Sequence, residues 1–351
     1  MNQERRLNTL YALAAGDALG AATEFQSEQE IRARFPQGLR QYEAGSPFEF
    51  APGEATDDTQ MVIATLHGFS TEARTTQESL QNVYNSLRTW AASSPPDIGT
   101  TTARALSQNQ LQGGVRQWIR SSGRLAANGG LMRVASCFIA GFTGRELTEQ
   151  ALNTTALTHP DPRSLYSCVL VSQMLQALSE DQSFEGSLHH ALSVTQNTDA
   201  QEVLYSAGLL HEPNTVRGQE ELVQASKEMQ TRRQSALEEI EQRTELALAR
   251  KTCEQSGYVL DTLQMSLLHA QRAFEMRELS EGIKAAAMLG EDSDTTACVT
   301  GALLGAAGLE IPDWLLRDPG APLRLGHSFG HWQRHWLATE HFPNQIPKTP
   351  R

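Results

Sequence analysis

The sequence is short of aromatic residues, at 6%, and no stretch alternates apolar and polar residues in the way that builds half-buried strands. Its frequent Ala, Leu and Gln favour helices instead. No Pro/Gly/Ser-rich linker separates two halves of different composition and no repeat of about 20 to 50 residues recurs, so one large domain is expected across residues 1–351. Positive charge is scarce: 29 Lys and Arg face 41 Asp and Glu, a net charge of -12. That balance argues against a nucleic-acid backbone or an anionic membrane as the main partner. No apolar run approaches the length of a membrane span. The polar opening Met1-Asn2-Gln3-Glu4-Arg5-Arg6 leads into an amphipathic helix, unlike a secretory leader. Cys137, Cys168, Cys253 and Cys298 lie far apart, without the paired spacings of zinc or redox motifs, and read as reduced thiols of a cytoplasmic protein. A hydrophobic share of 39% is enough for a sizeable core.

What the sequence does hold is a set of short oxygen-rich clusters, each where a helix is expected to start or stop. Leu7, Leu10, Tyr11, Ala14, Ala18 and Leu19 follow helical spacing and predict a helix over 6–25 with one buried stripe. Within it, Gly16-Asp17-Ala18-Leu19-Gly20 strips one face of side chains, so another backbone or a ligand can approach. Glu24 follows two helical turns after Asp17, and the two carboxylates share a face if the helix continues. A turn-rich stretch, 26–52, then leads to Gly53-Glu54-Ala55-Thr56-Asp57-Asp58-Thr59 and the apolar run 61–69. Capping and the helix dipole explain one of these residues, but not four consecutive oxygen-bearing side chains. Successive helical residues point about 100° apart, so Asp57 and Asp58 converge only where the chain is still turning into its helix.

A helix is also expected at 76–92, stopped by Pro95-Pro96, with Asp97 or a following threonine as the next cap. Asn128-Gly129-Gly130-Leu131-Met132-Arg133 opens the apolar helix 134–142; its free N–H groups either hold phosphate or simply make the turn. His159 precedes the helix 165–178 and reads as a ligand contact or as a locally bonded residue. Over about 213–251 the composition turns to Glu, Gln, Arg and Lys around a thin stripe of Leu222, Met229, Leu237 and Ile240, a long solvated helix or helix pair able to offer a partner surface. Gly290-Glu291-Asp292-Ser293-Asp294-Thr295-Thr296 ends an alanine-rich helix and opens another in which Gly301, Ala302, Gly305 and Ala306 suit tight packing. His327, His331 and His335 stand one turn apart, either as a metal face or as a packed or solvated terminal helix.

Together Glu24, Thr56-Asp57-Asp58 and Asp292-x-Asp294-Thr295 are oxygen donors without soft ligands, which fits Mg²⁺ or Mn²⁺ better than zinc or copper. So many carboxylates are better balanced by two cations sharing a bridge, and Asp294 is the chosen bridge. The residues alone lead to a compact all-α domain carrying a metal-dependent hydrolase.

Five motifs then occur in a telling order: Gly16 to Gly20 with Glu24, Thr56-Asp57-Asp58-Thr59 with Met61, Asn128 to Arg133, Thr158-His159-Pro160, and Asp292-Ser293-Asp294-Thr295. Their order and intervals, over roughly residues 8–309, resemble the ADP-ribosylglycohydrolase family. The resemblance implies an all-α fold with two divalent cations, Mg²⁺ or Mn²⁺, at the base of a cleft. It implies metal contacts for Thr56, Asp57, Asp58, Asp292, Asp294, Thr295 and Glu24, with Glu24 the leading general base. Asn128, Gly129, Gly130, Leu131 and Met132 would lie along the diphosphate and distal ribose, and His159 would contact ADP-ribose. Asp97, in a Pro-Asp-Ile-Gly-Thr-Thr context similar to the arginine-specific branch, would meet the guanidinium leaving group. The expected substrate is an ADP-ribosylated protein and the product ADP-ribose. Serine-linked, nucleic-acid-linked and O-acetyl-ADP-ribose are the alternative substrates, and a non-enzymatic binding or immunity protein is the other class. A toxin partner would use the charged insertion at about 213–251, and residues about 310–351 would form a C-terminal extension. Glu291 departs from the family, which commonly has a small residue there, and the charged segment is longer than the family minimum.

Overall fold

The computed structural model describes residues 3–212, 219–317 and 323–324. Among these residues there are sixteen α-helices and no strand, as expected of an all-α domain. The first half comprises α1 (Gln3–Gly20), α2 (Glu28–Arg34), α3 (Asp57–Ser70), α4 (Thr76–Ala92), α5 (Thr100–Ser107), α6 (Gly113–Arg120), a 3₁₀ turn at Asn128–Gly130, α7 (Ala135–Ala140) and α8 (Gly144–Ala156). Then come α9 (Pro162–Ser179), α10 (Phe184–Asn197), α11 (Ala200–Ser206), α12 (Glu220–Leu248), α13 (Val259–Met276), α14 (Leu279–Ala287), α15 (Ser293–Ala306) and α16 (Asp313–Arg317). The histidines at 327, 331 and 335 and most of the expected C-terminal extension lie outside the described residues.

Everything that positions the site follows from the pairing of α1 with α15, the most extensive helix contact in the fold. Every residue of α15 is buried, and α1 is buried from Thr9 to Gly20. A Cβ on Gly20 would overlap the backbone of Asp294, and one on Gly301 would overlap the carbonyl of Ala12. Only hydrogens fit, so the axes approach closely and the helices run antiparallel. The small-residue faces expected at both sequence positions are therefore one seam. Its register sets the end of α1 against the start of α15 and brings Glu24 and Asp294 to the same place.

The expected continuation of α1 through residue 25 is corrected. The helix ends at Gly20 and residues 21–25 turn, because Thr23 Oγ1 donates to the Ala287 carbonyl at 2.5 Å and Phe25 N–H to the Glu291 carbonyl at 2.8 Å. Asp17 and Glu24 consequently do not share a helical face. Glu24 is carried towards the start of α15, while Asp17 stays in the core.

The remaining core is largely apolar packing, and its two buried indole N–H groups each find an acceptor. Trp90 Nε1 donates to Gln60 Oε1 at 3.2 Å and Trp118 Nε1 to Asp161 Oδ2 at 3.0 Å. Asp161 also caps α9 through Arg163 N–H. The charged segment resolves, over its described residues, into the single helix α12. Its stripe of Leu222, Met229, Leu237 and Ile240 is buried against α13, α9 and α6, with Arg116 and Arg120 paired to Glu221 at its start.

Candidate active site

Five chain segments end at one cavity of about 550 Å³. The turn after α1 brings Glu24; the start of α3 brings Asp57 and Asp58; the link before α5 brings Asp97; the 3₁₀ turn brings Asn128 and Gly129, followed by Met132; the start of α15 brings Asp292, Asp294 and Thr295. His159 lines it too. Thr56, Gly130 and Leu131 stand behind this lining and are buried. A larger groove of about 820 Å³ between α8, α9, α10 and α11 is lined largely by carboxamides and hydroxyls, so the acidic array belongs to the smaller cavity.

The local sequence explains how the acids are held. Thr56 is the N-cap of α3, accepting from Asp58 N–H at 3.4 Å, and thereby turns the chain where Asp57 and Asp58 begin the helix. Both helix starts point their positive dipole ends at the carboxylates they carry. Asp97 is not the cap of α5: Gly99 holds that position without a side-chain bond, and Asp97 instead contacts Asp57.

Sequence reading missed the role of Asp17. Its wholly buried carboxylate receives Thr56 N–H at 3.0 Å, Thr56 Oγ1 at 2.7 Å, Thr59 N–H at 3.0 Å and Thr59 Oγ1 at 2.5 Å. It fastens the start of α3 to α1. Ser256 and Gly257, just before α13, were missed as well: they line the cavity, Gly257 accepts from Asn128 N–H at 3.1 Å, and neither had a sequence signal beyond a turn.

Charge dominates the electrostatics. Burial, then Asp294, Asp97, Asp292 and Asp57, push the Glu24 carboxyl up to about 11. Asp57, Asp58 and Asp294 are held well above the usual carboxylate range, first by burial and then by neighbouring acids; Asp97 and Asp292 are raised chiefly by burial. Glu24 Oε2, Asp58 Oδ2 and Asp294 Oδ1 are buried without a hydrogen-bond partner. Among the described residues no three His, Cys, Asp or Glu side chains close on a common point as a finished metal shell. The donors are nevertheless all oxygens, several are unpaired, and their mutual repulsion calls for positive charge. The set therefore fits hard divalent cations.

The opposite wall is held largely by bonds within the protein. Arg133 is buried and donates to the Gly129 and Thr154 carbonyls and to Thr158 Oγ1 at 2.6 Å. Thr158 Oγ1 is also hydrogen-bonded to His159 Nδ1 at 2.8 Å, the hydroxyl donating in the tautomer that carries its hydrogen on Nε2. Burial and Arg133 lower the His159 pKa to about 3, so the ring is neutral beside Gly129, where a Cβ would come within 2.8 Å of His159 Cε1. Asn128 Nδ2 donates to Asp292 Oδ2 at 2.7 Å and Thr262 Oγ1 at 2.9 Å, joining this wall to the acids.

Comparison with known proteins identifies the family. The ADP-ribosylglycohydrolase family profile matches residues 2–324. The chain is 30% identical over 177 residues to the ADP-ribosyl-[dinitrogen reductase] glycohydrolase of Rhodospirillum rubrum, a match covering 50% of this chain and 58% of that protein. It is 26% identical over 309 residues to ADP-ribosylarginine hydrolase Tri1 of Serratia proteamaculans (strain 568), covering 86% and 71% of the two chains. A solved structure described as an ADP-ribosylglycohydrolase-related protein complex superposes with a TM-score of 0.61 at 22% identity, covering 96% of this chain and 95% of the other, and shares the fold. With its fold and a profile match over residues 2–324 in agreement, this chain belongs to the ADP-ribosylglycohydrolase family.

Proposed function

We propose that this protein hydrolyses the N-glycosidic bond between ADP-ribose and an arginine side chain of a protein, and so reverses mono-ADP-ribosylation. The observation that carries the reading is the meeting of Glu24, Asp57, Asp58, Asp97, Asp292 and Asp294 in one cavity with the Asn128 loop and His159 opposite. Thr56, Asp57, Asp58, Asp292, Asp294, Thr295 and Glu24 would hold two cations, Mg²⁺ or Mn²⁺, with Asp294 as the bridge. When bound, the cations offset the array's charge and fix the ribose hydroxyls.

The chain's own groups divide the rest of the chemistry. Asn128, Leu131 and Met132 N–H are spent on backbone carbonyls, which leaves the Gly129 N–H and the neutral His159 ring, a donor through Nε2 in the tautomer whose Nδ1 accepts from Thr158, as groups suited to the diphosphate and ribose without a cationic side chain. Glu24, with an unpaired oxygen, takes the proton of the attacking water as its oxygen bonds to C1 of the ribose. Its high proton affinity makes it a carboxylic acid in the bare array and a base only once that charge is offset. As the C1–N bond breaks, its electrons go to the guanidine nitrogen, which receives a proton from Asp97. The proton held by Glu24 afterwards restores Asp97, so one water is consumed and the charge balances. Asp97 favours arginine over serine, nucleic-acid or O-acetyl linkages, because a carboxyl suits a guanidinium partner.

The proposal extends to a cytoplasmic setting and to protection against an ADP-ribosylating toxin. The support is four free cysteines and the exposed face of α12. No described helix is long and apolar enough to cross a membrane. Incubation of the purified protein and Mg²⁺ or Mn²⁺ with an arginine-ADP-ribosylated protein should release ADP-ribose. Release that persists in chelator would sink the metal mechanism, while toxin binding without any hydrolysis would favour the non-enzymatic class.

A further inference from the structure

Phe25 and Glu291 face each other at the cavity mouth in a conformation that costs both of them. Phe25 has φ 56 and Glu291 φ 50, the left-handed region that favours glycine and is least suited to a bulky side chain. Phe25 N–H donates to the Glu291 carbonyl at 2.8 Å, and Glu291 N–H to the Gln26 carbonyl at 3.1 Å, so the two segments are locked together. Glycine at either position would relieve the strain and keep those backbone bonds. What the strain maintains is the two side chains, and neither serves the core: Phe25 is 61% exposed, Glu291 is exposed, and both line the cavity. Phe48 steadies Phe25 edge-on, with ring centroids 6.0 Å apart, leaving a ring face available.

The same cavity is lined by Glu24, Asp57, Asp58, Asp97, Asp292 and Asp294 as well as Glu291 and, among the described residues, by no Lys or Arg. We propose that Phe25 and Glu291 form a mouth subsite for a second, unmodified cationic side chain of the substrate protein, an arginine or lysine close to the modified arginine. The ring face receives the cation and the carboxylate pairs with it, a combination suited to a mobile positive group at a solvated rim. This inference rests on the arginine-hydrolase reading for its substrate, and gives the enzyme a preference for basic target sequences.

The test uses two peptides carrying the same ADP-ribosylated arginine, one flanked by arginines and one by serines, with the full Mn²⁺-loaded chain. Wild type should prefer the basic peptide by about tenfold in kcat/KM, mainly through KM, and Glu291→Gln or Phe25→Leu should each reduce that ratio to about twofold. An unchanged ratio in both variants overturns the proposal. If wild type cleaves neither peptide, the arginine-hydrolase reading fails, and fluorescence anisotropy with the unmodified basic peptide decides the subsite separately. Affinity at least threefold weaker in Glu291→Gln than in wild type supports it; equal affinity overturns it.

Discussion

Asp17 and Asp58 are both buried carboxylates, yet one is saturated and the other is left wanting. Asp17 collects two N–H and two hydroxyl donors from Thr56 and Thr59. Asp58 has one long bond, from Thr295 Oγ1 at 3.3 Å, and an unpaired Oδ2; Asp294 has Thr56 Oγ1 at 3.4 Å, whose hydrogen goes to the nearer Asp17, and an unpaired Oδ1. A buried anion without partners costs several kcal/mol, so a fold keeps one only for something outside the chain. The layer beneath the array is architecture, and the array is chemistry held in place by it.

Substitutions at the two layers should move stability in opposite directions. Asp294→Ala should lower ADP-ribose release by about 10³-fold, abolish Mn²⁺ binding in calorimetry, and raise the Tm of the chelated protein by relieving repulsion. A chelated Tm that falls instead would mean that the array is satisfied by the protein. Asp97→Asn should slow arginine-linked cleavage by about 10²-fold while leaving Mn²⁺ affinity nearly unchanged, a split read by pairing single-turnover rates with calorimetry. Asp17→Asn puts an N–H₂ against existing donors. It should lower the Tm, by about 1–3 kcal/mol of stability, and weaken Mn²⁺ binding about 10- to 100-fold.

The smallest effect expected is on the pH profile. Raised carboxyl groups keep protons in the folded chain that unfolded carboxyls release near pH 4, so their stability contribution is full below about pH 4 and lost as pH rises. In chelator, Tm should fall first as Asp17, raised to about 6 by burial against its hydrogen bonds, ionises. The decline should continue towards higher pH with Glu24, raised to about 11. Mn²⁺ should flatten that decline in calorimetric scans; an identical slope with and without Mn²⁺ would separate the array from metal binding.

The sequence made the helices and the small-residue seam legible because both are local patterns. Periodicity locates α4 at Thr76–Ala92, and Gly301 and Gly305 mark the tight face of α15. The clustering of Thr56, Asp57 and Asp58 was readable because two neighbouring carboxylates converge only at a helix start. The end of α1 was not, since it is decided by bonds from Thr23 to Ala287 and from Phe25 to Glu291, far along the chain. Asp17 was hidden for the same reason, its partners lying about forty residues away. Asp97 read locally as a cap, and only the family resemblance moved it to the site.

The seam between α1 and α15 also governs when this protein can work. Its first helix and one of its last together carry the acids of one wall of the cavity, so a nascent chain on the ribosome lacks the site until residues up to about 306 have emerged. Until then the glycine face of α1 has no mate. Synthesis that stops short of α15 yields a chain with most of its helices and no acidic centre, which couples activity to completion of that helix.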